Sequence, residues 1–85
     1  MANVKEDAEY RALTMEIRLL LTEKGWSQKD LADRIGTRRE TVNEDLTATK
    51  ERGMPFRRLV AMAQALDISL EELTRRAHER AEREG

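Results

Sequence analysis

The sequence predicts an all-α fold, a compact bundle of five helices, and three observations carry that prediction. Strand signals are missing: the chain has one Trp, one Tyr and one Phe, with no β-branched run and no sustained alternation of apolar and polar residues. Apolar residues recur instead at helical spacing. Residues suited to starting or stopping helices fall between those periodic segments. At 85 residues the chain is read as one domain, residues 1–85, because two hydrophobic cores would not fit.

The first helix is expected over residues 5–24, ending at Gly25, a residue suited to a left-handed cap. Leu13, Ile17, Leu20 and Lys24 share one face, with Tyr10 and Leu21 at its edge. Ala8, Ala12, Met15 and Leu19 form a second apolar stripe almost opposite. That stripe calls for a partner, either the last helix or a second subunit, unless it is simply a solvated face.

Residues 27–46 hold two helices in quick succession. Ser27 is placed to cap the amide of Asp30, whose carboxylate can return the bond. Leu31, Ala32 and Ile35 face inward and Gly36 ends the helix. Thr37 and Glu40 then have the spacing of a second capping box, which starts the third helix at Arg38. Two capped helices across so short a turn pack at a steep angle. Val42 points into the seam.

After the loop TATKERGM, Pro55 suits the first position of a fourth helix, residues 55–66, with Phe56, Leu59, Val60, Ala63 and Leu66 as its core face. Asp67 stands where a glycine is usual at a helix end; Asp tolerates that conformation better than most. Ser69 caps a fifth helix, residues 70–83, anchored by Leu70 and Leu73 over Ile68. Its end, RRAHERAEREG, reads as a solvated, fraying segment.

Several function classes fall away. There is no cysteine, which excludes disulfides and thiolate metal sites. The one histidine, His78, has no second imidazole nearby. No metal or other cofactor and no small-molecule substrate are expected. With no glycine-rich phosphate loop and no carboxylate pair beside a nucleophile, an enzyme is not expected either. The N-terminus is polar and acidic, unlike a signal peptide. LLL at 19–21 and LVAMA at 59–63 are too short to cross a bilayer. No membrane association and a cytoplasmic location follow. Net charge is −1, but residues 26–66 hold eight Lys/Arg against six Asp/Glu, a mildly basic centre between acidic ends.

The segments EKGWSQKDLADRIGTRRETV and FRRLVAMAQALDISLEEL, in that order, resemble the phage-repressor and Cro-like helix-turn-helix family, the XRE type, from about Ile17 to Leu73. The resemblance implies a lambda-repressor-like five-helix fold, with helices 2 and 3 as the helix-turn-helix. It also implies a homodimer that binds double-stranded operator DNA, palindromic in sequence, and regulates transcription as a repressor. By place in the family pattern, Arg39 is the main base-contacting position, flanked by Arg38, Thr41 and Asn43. An Arg can span O6 and N7 of guanine, and an Asn can do likewise on adenine. Gln28 matches a position that commonly contacts the DNA backbone, at a helix start that already favours an anion; Lys29 and Thr37 join it. Lys50 and Arg52 in the loop, with Arg57 and Arg58 opening helix 4, are expected on a second stretch of phosphates. The ordinary reading of Arg38 and Arg39 is a solvated pair or partners for Glu40 and Asp33.

Departures from the pattern are local. Asp45 stands where the family usually has a second buried aliphatic residue, leaving Leu46 to take that role in a rotated or lengthened helix. Ala48 replaces a usual glycine, which would let helix 3 continue toward Gly53. Glu40, Glu44 and Asp45 put carboxylates where phosphates would repel them, although an acidic residue can accept from a cytosine amine. Those carboxylates and the second helix-1 stripe sustain an alternative: a protein-interaction module on the same fold, an anti-repressor or antitoxin-like subunit.

Overall fold

Helix-closing geometry sets the course of the chain. The computed structural model describes residues 4–47 and 53–84, arranged as five helices: α1 (Val4–Lys24), α2 (Gln28–Ile35), α3 (Arg39–Leu46), α4 (Phe56–Ala65) and α5 (Leu70–Glu84). Three of them end on a residue with positive φ: Gly25 (71°), Gly36 (74°) and Asp67 (58°). After each, the next amide bonds back five residues, Trp26 to Leu21, Thr37 to Ala32 and Ile68 to Ala63. This arrangement satisfies carbonyls that a helix end would otherwise leave bare.

Each helix contributes one fully buried side chain: Ile17, Leu31, Val42, Met62 and Leu73. Burying each is worth roughly 1.5–3 kcal/mol. Leu20, Leu21, Ala32, Leu46, Leu59, Ala63 and Leu66 complete that core. A second, smaller cluster joins Ala12 of α1 to Ala77 and Ala81 of α5, with Ala8 packed against it. Small side chains let these two helices lie close, and α1 with α5 forms the most extensive helix contact of the fold.

Five expectations need correction. Helix 3 begins at Arg39 with Arg38 as its N-cap and no side-chain cap, not at Arg38 capped by Thr37. The amides of Gly36 and Thr37 both return to the Ala32 carbonyl, so the Thr37 amide is already committed and the return bond to Glu40 that a capping box needs is not made. Helix 4 begins at Phe56; Pro55 is its N-cap, with extended ψ (144°). Phe56 is 67% exposed, because the first turn of α4 projects beyond the core, and Met62 rather than Val60 is buried with Leu59, Ala63 and Leu66. The charged end of α5 is no fraying tail: it stays helical to Glu84 because Ala77 and Ala81 seat it on α1. Lys24 is exposed rather than part of the core face; its Nζ lies over the Trp26 ring.

The second stripe of α1 divides. Ala8 and Ala12 meet α5, while Met15 and Leu19 remain exposed. Beside them Glu16 is buried and bonded to Arg80 Nε at 2.7 Å, a pairing that α-helical spacing alone does not reveal.

Candidate nucleic-acid interface

The α2–α3 corner is built by two local devices. Ser27 Oγ accepts from the Asp30 amide at 3.1 Å, and Asp30 Oδ2 accepts from the Ser27 amide at 2.8 Å. These bonds, the backbone one first, hold the Asp30 carboxyl below its ordinary pKa. At the other end, Gly36 turns the chain through a conformation that L side chains rarely adopt. The two helices then pack with Leu31, Ala32, Val42 and Leu46 buried between them and the rest of the core.

The position of α3 depends on contacts from α1 and α4. With no side-chain N-cap and no basic residue in its last turn, this eight-residue helix has little intrinsic stability. Its last carbonyls are taken up by α1. Tyr10 Oη donates to the Asp45 carbonyl at 3.2 Å, and an Arg18 Nη2 donates to the Leu46 carbonyl at 3.0 Å. Tyr10 Oη also accepts from the Met54 amide at 2.8 Å, tying the segment before α4 to the same point. Burial pushes the Tyr10 hydroxyl up from its ordinary pKa, so it stays a donor.

Asp45 and Leu46 are both buried. Leu46 does take the aliphatic role, without any lengthening: α3 stops at Leu46 with Thr47 as C-cap. Asp45 faces the protein, not a groove. Its two oxygens meet Nε and Nη2 of Arg58 side by side, the second at 3.0 Å. That hydrogen bonding raises the Arg58 pKa. Arg58, expected among the phosphate-contacting residues, is here engaged by Asp45 and joins α4 to α3. The signal for this pair was a carboxylate at a core-facing helical position, since a buried charge requires an opposite one.

The remaining site residues separate by exposure. Arg38, Arg39, Glu40, Asn43 and Glu44 are exposed, and Thr41 is half-buried. Among the described residues, no hydrogen bond or ion pair engages the side chains of Arg38, Arg39, Glu40 or Asn43. The partnering of Arg38 and Arg39 with Glu40 or Asp33 is therefore not seen; Asp33 instead pairs with Lys29 at 2.9 Å. Gln28, half-buried, is the first residue of α2. Arg57 is exposed at the start of α4, where it lines an open cleft against Gly36 and Thr37 of the corner, with Pro55 and Arg58. Lys50 and Arg52 lie outside the described residues.

The outward face of α3 mixes charges. At about 100° per residue, Glu40 and Glu44 flank the direction opposite buried Val42, with Asn43 and Thr47 beside them. Like charges at this spacing weaken an isolated helix by roughly 0.2–0.5 kcal/mol. Glu44 also sits in the last turn, where the helix dipole disfavours an anion. The cations Arg38 and Arg39 crowd the opposite end, where the dipole disfavours them too. Only Glu40, in the first turn, agrees with the dipole.

No group of three or more His, Asp or Glu able to hold a metal occurs among the described residues, and no helix there is long and apolar enough to cross a membrane. No curated protein and no solved structure shows a significant match to the chain. The sequence profile of the Cro/C1-type HTH DNA-binding domain matches residues 16–77, a span that contains α2, α3 and α4 whole. With that match over most of its length, and with the corner geometry described above, the chain belongs to the Cro/C1-type helix-turn-helix DNA-binding domains of the XRE family.

Proposed function

We propose that this protein is a sequence-specific regulator of transcription, a repressor, that lays α3 in the major groove of double-stranded DNA. The observation that carries this reading is the set of exposed side chains at the front of α3, Arg38 and Arg39, that have no partner among the described residues. A chain that stabilised its own helix would not put Arg38 and Arg39 at the positive end of the dipole. In the groove, Arg39 reads a guanine edge and Asn43 an adjacent base, with Arg38 and Thr41 flanking. Gln28, Lys29, Thr37 and Arg57 contact the sugar-phosphate backbone, and Lys50 and Arg52 belong to the same proposed set.

So few cations neutralise few phosphates, and affinity per subunit is modest. A homodimer on an inverted repeat, with half-sites about 34 Å apart, supplies the rest. The first test is co-sedimentation with random duplex DNA at low salt, where even nonspecific binding is expected. Selection from a random pool should then recover an inverted repeat, on which Arg39→Ala costs about 1–3 kcal/mol and relaxes one base position. Equal binding of every sequence by parent and variant would remove Arg39 from the reading.

A second reading, a protein-interaction module, is favoured by the exposed Met15 and Leu19 of α1 and the outward carboxylates of α3. Failure to co-sediment with any duplex would select it.

A further inference from the structure

We infer that Glu40 and Glu44 are specificity-determining residues of this interface, accepting hydrogen bonds from the exocyclic amines of cytosines; the inference rests on the DNA-binding reading above. Three observations lead to it. First, the two carboxylates occupy the centre of the exposed face of α3, diametrically opposite Val42, which is 0% exposed, so a helix lying in a groove points both at base edges. Second, neither has a structural use that explains it. The capping box that would employ Glu40 does not form, because Arg38 is the N-cap and has no side-chain cap bond. Among the described residues Glu40 has no partner, and Glu44 has no hydrogen bond or ion pair, only the field of Arg58 nearby. Third, the third acidic residue of the helix, Asp45, is turned inward onto Arg58. The carboxylates that remain outward are thus a face separate from the helix's own packing, set one turn apart.

The chemistry selects the base. In the major groove cytosine offers a donor, its N4 amine, with no acceptor beside it. Guanine offers two acceptors and thymine one acceptor and a methyl group, both of which a carboxylate rejects. Adenine offers a donor, but next to an N7 acceptor that repels the same carboxylate. A carboxylamide, with its own donor, suits adenine instead. Glu40 and Glu44 lie roughly 6 Å apart along the helix axis, far enough to meet different bases. The half-site should therefore carry two donor-bearing cytosines beside the guanine read by Arg39.

The same carboxylates repel phosphate, so the two effects of removing one have opposite signs. Duplex selection from a random pool is done with the full chain and with its Glu40→Gln and Glu44→Gln variants. Both positions are exposed, and circular dichroism melts check that the variants fold. The parent should enrich cytosine at two positions of each half-site. Each variant should lose that preference at one of them, by roughly tenfold to a hundredfold, and gain tolerance for adenine there. At low salt each should also bind random duplex more tightly than the parent. A parent motif that both variants recover unchanged overturns the inference while leaving the DNA-binding reading intact. A parent that binds no duplex at all overturns the reading itself, and the inference with it.

Discussion

Asp45 and Arg58 show how much a single pair can decide. A carboxylate that stays outward would repel DNA; turned inward, it recruits a cation away from the surface and locks the roll of α3 against α4. Removing one partner leaves the other stranded, whereas removing both leaves packing that apolar groups can fill. Arg58→Leu is expected to cost about 1–3 kcal/mol in urea unfolding, less than for a fully buried pair because its side chain is 30% exposed. The double variant Asp45→Leu with Arg58→Leu should recover most of that loss. Simple addition of the two single effects would show that the pair is not coupled. At this scale the sequence was only partly legible. The family resemblance marked Asp45 as standing at a usually buried position, yet the residue was expected to face phosphates, and nothing in spacing says which of many arginines a buried carboxylate will meet. Phe56 illustrates the converse: its periodicity is that of a core residue, but the core ends before the first turn of α4 begins.

Helix ends are the element-scale determinants, and these were the most readable feature. Ser27 with Asp30, Gly25, Gly36, Asp67 and Ser69 each act on the neighbouring few residues, so sequence proximity suffices to identify them. Ser69 Oγ accepts from the Glu72 amide at 3.0 Å, and the Glu72 carboxylate in turn holds Arg75 and Arg76. Those bonds, with Arg75 first, pull the Glu72 pKa from 4.5 to about 2. A carboxyl depressed in the folded state stabilises the fold fully above its unfolded value. Here that contribution is lost as pH falls from about 4.5 toward 2. Asp30 at the start of α2 shifts in the same direction. The melting temperature of the parent should therefore drop more steeply over that acidic window than that of Glu72→Gln; parallel curves would show the α5 network contributes nothing. The Thr37 and Glu40 pair failed as a box for a reason equally local: the Thr37 amide that Glu40 would engage already bonds the Ala32 carbonyl.

Across the whole molecule, α5 returns along α1 and makes a seam of Ala12, Ala77 and Ala81. This seam, with Glu16 and Arg80 at its margin, supports the N-terminal part of α1, which in turn carries Tyr10 and Arg18 to the end of α3. The route from the charged α5 to α3 is thus a continuous set of contacts. Ala77→Leu adds volume where Ala77 is only 4% exposed, and is expected to cost about 1–3 kcal/mol of stability by overpacking. Scanning calorimetry checks it; an unchanged transition would mean that α1 and α5 are looser than the alanines imply.

The sequence by itself determined the all-α class, the five helices in order, most of their capping residues and the family, because periodicity and capping act over three to five residues and leave a direct trace in the chain. Tertiary structure alone decided which polar side chains were used internally and which were left outside. Asp45 turned in, Glu40 and Glu44 stayed out, half of the α1 stripe was covered, and a charged tail became a packed helix. Each of those outcomes depends on which element arrives from elsewhere in the chain, and a buried charge or a close helix contact is settled only by the partner that meets it.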